Sequence, residues 1–179
     1  PKGLVIGDIR YSRNIFSFRW SEAERNAIGL YEVVHDNSNR KDQAYYNNTN
    51  QSFNFADGKV TASYGTATAR ELEDTVNEDD SITQGLKSQK KANIKQQASS
   101  LLAPTDWYVV KAAEVESYSV PEAMTTYRAD VRTASNSMES KIDACSTVDE
   151  LAALYQHVNT GTEENPVMER PLGEFPEAV

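Results

Sequence analysis

The sequence predicts an α+β protein in which a small antiparallel β-rich domain precedes an acidic linker, a helical half and an extended C-terminal arm. Three observations lead to this prediction. Runs of strand-forming residues lie within residues 1–70, apolar residues follow helical spacing across residues 81–158, and glycine and proline interrupt residues 159–179. The chain has 179 residues and 39% hydrophobic content, which is enough for one ordinary domain or two small ones with modest cores.

The first 70 residues contain four candidate strands. They lie at residues 4–6, 14–18, 31–34 and 52–55. In several of them polar and apolar residues alternate, which is the period of a sheet with one covered face and one solvated face. The clearest local signal is residues 53–64, because Asp57-Gly58 can adopt the positive φ angles of a two-residue hairpin turn. We therefore predict a half-buried sheet that contains a β-hairpin.

A short helix and a polar loop are predicted to connect these strands. Ser21 can cap a helix and Glu24 can complete a capping box, so residues 22–28 should form a helix of about two turns. Residues 36–51 include five asparagines and should form an exposed loop with one short strand. Tyr45 and Tyr46 lie in this loop, and we expect them to be an exposed pair that could contact a partner.

Charge is distributed unevenly along the chain. The net charge is −9: residues 1–70 contain nine Lys and Arg against seven Asp and Glu, whereas residues 71–179 contain nine against twenty. Six acidic residues fall within residues 71–80, which we interpret as a linker. Because an acidic surface repels phosphate backbones, we expect no nucleic-acid partner. No apolar run approaches the roughly 20 residues that cross a bilayer, so we expect no membrane contact.

The helical half, residues 81–158, should begin with two helices separated by a proline. Residues 81–103 contain good helix formers with a thin apolar stripe, and Pro104 ends the helix. A short helix over residues 107–114 should follow, so that Pro104 makes a corner. Four lysines at helical spacing lie on the first helix, which we interpret as a solvated face, with contact to an anion or an acidic partner as the alternative. They are Lys87, Lys90, Lys91 and Lys95.

Two further capping-box patterns predict the remaining helices. Ser119 and Glu122 should open a long helix that has proline in its first turn. Thr147 and Glu150 should open the last helix. The long helix has an apolar seam that must be covered by a neighbour. The seam consists of Met124, Tyr127, Val131, Ala134, Met138 and Cys145, with Ile142 beside it.

The sequence shows no pattern typical of a catalytic or metal site. It has no glycine-rich phosphate loop, no Gly-x-Ser-x-Gly, no His-Glu-x-x-His and no Cys-x-x-Cys. The single cysteine, Cys145, cannot form an internal disulfide, and His35 and His157 give no zinc-ligand spacing. We therefore predict that the protein is not an enzyme, has no catalytic or metal-binding residues and uses no cofactor.

Three weak arrangements of polar residues remain, and each has a structural alternative. His35-Asp36 could be half of an acid–base pair, but the position also fits a strand end. Asp79-Asp80 could bind a cation but also suits a solvated linker. Asp149-Glu150 could do the same, although the first turn of a helix favours acidic residues through the helix dipole. We favour the structural alternative in each case.

The two tryptophans also allow two interpretations. Trp20 and Trp107 could belong to a carbohydrate-binding platform, because aromatic faces suit sugar rings. Trp20 follows an alternating strand, however, and Trp107 starts a helix next to an apolar pair. We therefore favour core or interface anchors for both.

Several motifs of the helical half resemble a known family. Residues 101–107 read Leu-Leu-Ala-Pro-Thr-Asp-Trp, and the long helix carries Tyr127-Arg128 and Val131-Arg132. This order is similar to the C-terminal module of phage tail-fibre assembly proteins and related small tail proteins of marine tailed phages. The closing Phe175-Pro176-Glu177 also resembles the aromatic-proline ending common in that group. The resemblance covers about residues 81–179.

The resemblance implies a role in building a phage tail. It implies that the protein is a structural subunit at the baseplate, hub or fibre attachment, located in the virion tail after assembly in the host cytoplasm. Expected partners are tail tube, hub or fibre proteins in a multi-copy assembly, with the head and the C-terminal arm docking onto neighbours. The alternatives are a tail-fibre assembly chaperone that is absent from the virion, and a carbohydrate-binding module or enzyme acting on the host envelope. The candidate interface residues are Trp107, Tyr127, Arg128, Arg132, Tyr45, Tyr46 and Phe175.

Overall fold

The computed structural model describes residues 3–49 and 51–179. The chain divides into two compact units, Pro1–Thr68 and Ala69–Val179. The first unit contains short strands and one short helix, and the second contains the long helices. The predicted α+β class is confirmed.

The first unit begins with a hairpin, a tight turn and a helix. Strands β1 (Leu4–Ile6) and β2 (Ile9–Tyr11) pair antiparallel. The next predicted strand is instead a 3₁₀ turn, Arg13–Phe16, because the Ser12 side chain accepts from the backbone of Asn14 and starts a helical turn. Helix α1 (Glu22–Ala27) has the predicted capping box, with Ser21 and Glu24 bonding each other's backbone N–H.

The strands after α1 form a three-stranded sheet and a separate two-stranded pair. Strand β3 (Val33–Asp36) is followed by β4 (Tyr46–Asn47), β5 (Ser52–Ala56) and β6 (Lys59–Ser63), and β7 (Thr68–Ala69) lies at the boundary between the units. The sheet order is β3-β6-β5, and β4 pairs with β7. The predicted hairpin is confirmed, with φ of 51° at Asp57 and 74° at Gly58.

One pairing of the head departs from the predicted antiparallel arrangement, because β3 runs parallel to β6. The hairpin makes β6 antiparallel to β5. The long connection from β3 to β5 reverses the chain, so β3 and β6 point the same way.

The prediction that Tyr45 and Tyr46 form an exposed pair is also wrong. Their side chains are only 7% and 8% exposed. The backbone N–H groups of both tyrosines donate to the carbonyl of Asp42, which folds the loop back on itself. The ammonium of Lys41 lies 4.2 Å from the ring centroid of Tyr46. Asparagine content predicted the turn correctly, but burial here is decided by tertiary packing.

The second unit starts with the segment predicted as a linker, and this segment is part of the folded unit. Strands β8 (Thr75–Val76) and β9 (Ile82–Thr83) form an antiparallel hairpin. The backbone N–H groups of Leu86 and Lys87 donate to the carbonyls of Glu71 and Leu72. The linker interpretation is therefore corrected: the first turn of a helix leaves N–H groups without helical partners, and the acidic segment supplies acceptors for them.

Four helices follow: α2 (Leu86–Leu102), α3 (Asp106–Glu114), α4 (Glu122–Ala144) and α5 (Val148–Ala153). Helix α2 starts later than predicted because β9 takes up the preceding residues. The capping box of Thr147 and Glu150 is confirmed, whereas the Ser119 and Glu122 box is wrong. Pro121 is itself the N-cap of α4 and makes no side-chain cap bond, so Ser119 lies outside the helix start.

Helices α2 and α4 pack together and form the core of the second unit. The predicted seam of α4 is buried at most of its positions. The buried apolar residues of these two helices and their ends are Leu86, Ile94, Ala98, Met124, Tyr127, Val131, Met138, Ile142 and Cys145. No helix within residues 3–49 and 51–179 is both long and apolar enough to cross a membrane.

The C-terminal segment, predicted as an extended arm, packs on its own chain. Strands β10 (Val158–Asn159) and β11 (Met168–Glu169) form a hairpin. Leu172 is 1% exposed, and its N–H donates to the carbonyl of Leu154 over 2.9 Å. Proline and glycine prevent helix here, but they leave the chain extended enough for its apolar side chains to reach the helices.

Candidate functional site

Four of the residues that carry the predicted motif meet at the corner after α2, where Thr105 and Arg128 are buried and Asp106 is exposed. Arg128 extends from α4 and is 9% exposed. Its guanidinium lies 2.8 Å from the Asp106 carboxylate and donates to the Leu102 carbonyl over 3.2 Å and to the Thr105 hydroxyl. The Thr105 hydroxyl in turn donates to Leu102 over 2.6 Å. Arg128 therefore supplies the donors for the carbonyl and hydroxyl groups that the chain exposes at the corner.

Arg132 does not share this role. Its guanidinium donates to the Arg128 carbonyl over 3.0 Å, one turn earlier in the same helix. Of the two arginines, Arg128 joins α4 to the corner after α2, whereas Arg132 bonds within α4.

Two other candidate interface residues belong to the core of the second unit. Tyr127 is 4% exposed and clusters with Ala98, Met124 and Val131. Phe175 is half-buried and packs against the same cluster. The Tyr127 side chain is therefore not available to a partner while the unit is folded, whereas part of Phe175 remains exposed.

Trp107 is the predicted interface residue that lies on the surface. Its side chain is 51% exposed, and Val109 and Val110 are 46% and 54% exposed. The Trp107 and Tyr108 ring centroids are 3.8 Å apart, and the Lys111 ammonium lies 5.8 Å from the Trp107 ring. None of the nine residues of α3 is buried. We call Trp107, Val109 and Val110 the α3 surface.

The head sheet carries a second apolar surface. The strand register places Val33, Val60 and Phe55 side by side, and His35, Ala62 and Phe53 in the next row of the same face. Phe53 is 63% exposed and Phe55 is 56% exposed. The Tyr31 ring lies 4.5 Å from that of Phe55. We call this exposed row of aromatic side chains the sheet surface. The sequence predicted that one face of the sheet would be covered, and on this face only Ala62 is fully buried, with 0% exposure.

The head also has an open groove of about 590 Å³ beside α1. Phe18 in this groove is 95% exposed. Trp20 is less open, because its ring meets that of Tyr11 edge to face at 6.0 Å and the Arg25 guanidinium donates to its carbonyl over 2.5 Å. The remaining lining includes Phe16, Tyr31, Glu22 and Glu32.

The chain matches no known family. Comparison with protein-family models, with curated proteins and with solved structures finds no match.

The weak polar arrangements take part in local structure. The backbone N–H and hydroxyl of Ser38 hold the pKa of Asp36 below its usual value, and those of Ser81 do the same for Asp79, the hydroxyl contributing most there. Burial raises the pKa of the Cys145 thiol, which disfavours the reactive thiolate. Among the described residues, no group of three His, Cys, Asp or Glu side chains could hold a metal ion.

The lysines of α2 are not simply a solvated face. Lys91 lies 2.7 Å from Asp143 and Lys95 lies 3.3 Å from Glu139, both on α4. Lys87 lies 2.5 Å from Glu73 in the acidic segment. These ion pairs join three parts of the second unit, so the acidic partner of this face is the chain itself.

Proposed function

We propose that the protein is a structural subunit of a phage tail that acts through contacts with other protein subunits. The observation that carries this proposal is the apolar surface of the first unit. Among its described residues, more large apolar side chains are exposed than buried. The exposed ones are Val5, Ile9, Phe16, Phe18, Val33, Val34, Phe53 and Phe55, and the buried apolar ones are Ile15, Tyr45, Tyr46 and Ala62.

This distribution is costly for a protein that acts alone. Burial of one large apolar side chain stabilises by about 1.5–3 kcal/mol, and exposed patches of this kind mark contact surfaces in soluble proteins. The α3 surface adds a second apolar area on the other unit. Two separate surfaces suit a subunit that has neighbours on more than one side.

The assignment to a phage tail is supported by the residues of the resemblance. Arg128 lies 23 residues after Thr105 in the sequence, and it bonds to both Thr105 and Asp106 at the corner. The motif therefore has a common physical purpose, which is to fix the turn that presents α3. A subunit that assembles through α3 would need such a fixed surface.

A tail-fibre assembly chaperone is the second candidate. The exposed aromatic row of the sheet surface also suits transient binding to an unassembled fibre, because exposed Phe side chains can cover apolar segments of a partner. The two roles differ in whether the protein remains in the finished virion.

Quantitative mass spectrometry of purified phage particles tests the proposal. A structural subunit should give peptides at a fixed ratio to the tail proteins after density-gradient purification. Peptides present in the infected-cell lysate but absent from particles would favour the chaperone and reject the subunit role. A chain absent from both phage lysates and particles would reject the assignment to phage tails.

A further inference from the structure

The edge of the head sheet at β5 is open. Among the described residues, β5 pairs with β6 alone. The two-residue turn makes Ala56 and Lys59 a hydrogen-bonded pair, and such pairs alternate along antiparallel strands. Asn54 therefore also bonds toward β6, whereas the backbone N–H and C=O groups of Phe53 and Phe55 point to the free edge.

This edge lacks the features that usually prevent strand pairing. The five residues of β5, Ser-Phe-Asn-Phe-Ala, include no charge and no proline. The opposite edge strand, β3, ends in Asp36 and follows Glu32. Since edge strands are normally protected by charges, proline or bulges, β5 is the edge strand that is open to pairing with another strand.

The strand is also self-complementary. In an antiparallel pair of two copies with a two-fold axis at Asn54, Phe53 faces the partner's Phe55 and Ser52 faces the partner's Ala56. Both Phe positions have outward backbone groups, so the Phe53 and Phe55 pairs are hydrogen-bonded pairs and Asn54 meets its copy in a non-hydrogen-bonded pair. The register and the hydrogen-bond pattern agree.

We propose that two copies of this chain join through β5 to form a continuous six-stranded sheet with its two-fold axis at Asn54. The inference rests on the proposed assembly role and names a second copy as the partner of the sheet surface. Four phenylalanines then lie together on one face, where cross-strand aromatic pairs add to the backbone bonds. An isologous two-fold contact of this kind closes on itself and leaves the α3 surface for other subunits.

Charge and area set the strength of this dimer. The uncharged strand brings no like charges together, whereas contact between residues 71–179 of two copies would oppose stretches that each contain twenty Asp and Glu against nine Lys and Arg. A pair of five-residue strands covers less than the roughly 1,200 Å² of a standard interface. The isolated protein should therefore be a weak dimer, with monomer and dimer in concentration-dependent exchange.

Sedimentation equilibrium of the full chain tests whether the two-fold axis of the dimer lies at Asn54. Asn54 is exposed, so Asn54→Lys and Asn54→Glu should fold normally, yet each places like charges directly opposite each other. Each variant alone should raise the dimer dissociation constant by about fivefold, and an equal mixture of the two should restore it. Gln43→Lys adds the same charge away from β5 and is the matched control.

Site-specific oxidation gives a second readout. In a non-hydrogen-bonded antiparallel pair, opposite Cβ atoms approach closely enough for a disulfide. Asn54→Cys should give a covalent dimer on mild oxidation, whereas Ser52→Cys should not, because Ser52 faces Ala56 of the other copy. Cys145 is buried and gives a low background.

Three results would overturn the inference. The first is a protein that remains monomeric at about 1 mM. The second is a dimer whose dissociation constant does not change when position 54 is charged. The third is a dimer that dissociates in high salt but is insensitive to charge at position 54, which would indicate head-to-tail attraction. These measurements use the isolated protein, so their failure leaves the particle analysis untouched. Absence from particles, conversely, would not alter the dimer measurement.

Discussion

At the scale of single residues, Arg128 shows how one side chain can determine the path of the chain. The corner after α2 exposes the Leu102 carbonyl and the Thr105 hydroxyl in a half-buried environment, and both accept from Arg128. The Leu102 carbonyl also accepts from the Thr105 hydroxyl, so it is the buried Thr105 oxygen that loses its donor when Arg128 is removed. A buried acceptor that loses its donor costs roughly 1–3 kcal/mol. The planar guanidinium can reach both groups and Asp106 at once, which lysine could not do.

Replacement of Arg128 by methionine keeps much of the side-chain volume and removes these bonds. We expect Arg128→Met to lower the free energy of unfolding by about 2 kcal/mol in urea titrations at neutral pH. Arg132→Met is the matched control, since Arg132 contacts only its own helix, and it should change stability by less than about 0.5 kcal/mol. Equal effects of the two substitutions would show that the corner does not depend on Arg128.

At the scale of elements, hydrogen bonds within a few residues were predictable and packing was not. Ser21 and Thr147 cap their helices as predicted, because the capping box needs only one turn of chain. The same pattern at Ser119 fails because Pro121 takes the cap position. The burial of Tyr45 and the exposure of Phe53 depend on contacts between distant segments, and no local pattern encodes these.

The cap at the start of helix α2 comes from a residue well before the helix in the sequence, so no local pattern predicts it. Its N-cap is Gly85, which has no side chain, and Asp74 accepts from the Gly85 N–H over 2.8 Å. The Ser88 hydroxyl and this N–H hold the pKa of Asp74 below its usual value. The carboxylate therefore stabilises the fold above the pKa of an unfolded Asp, and this contribution is lost as the pH falls through the lower pKa of the folded state.

Asp74→Asn tests this cap through pH. The substitution should lower the urea midpoint at pH 7, and the difference from the original protein should shrink steadily as the pH is lowered toward 3. Asp130→Asn removes the same charge from an exposed position of α4, and it should leave the urea midpoint unchanged both at pH 7 and near pH 3. A difference for Asp74→Asn that is constant with pH would assign the loss to packing.

The α3 surface should matter for assembly more than for folding. Trp107 and Val110 are each about half exposed, so Trp107→Ser with Val110→Ser should cost no more than about 1 kcal/mol in urea unfolding. The same double variant should be depleted at least about tenfold from purified particles, as expected if two interface anchors are lost. Val76→Ser, at a position 67% exposed, is the control for loss of surface valine. Normal incorporation of the double variant would remove α3 from the assembly surfaces.

At the scale of the whole molecule, the two units differ in how far they bury their apolar side chains. The second unit uses even its proline-rich end to cover the helices, with Leu172 fully buried and Phe175 against the Tyr127 cluster. Composition alone predicted a loose arm there, because the count of prolines and glycines gives no information about two well-placed apolar side chains. The first unit leaves its sheet surface open. The partner contacts that we propose therefore lie on the head sheet and α3.

Leu172→Ala tests whether the C-terminal segment is part of the second unit's core. Leu172 is 1% exposed and its N–H bonds to Leu154, so truncation should lower the free energy of unfolding by about 3 kcal/mol. Val179→Ala, at a position 75% exposed, should have no measurable effect. Both are measured by urea titration of the full chain at a concentration low enough to keep it monomeric. An unchanged midpoint for Leu172→Ala would mean that the segment is held by partners, and the C-terminal arm would then join the head sheet and α3 among the surfaces that need a neighbour.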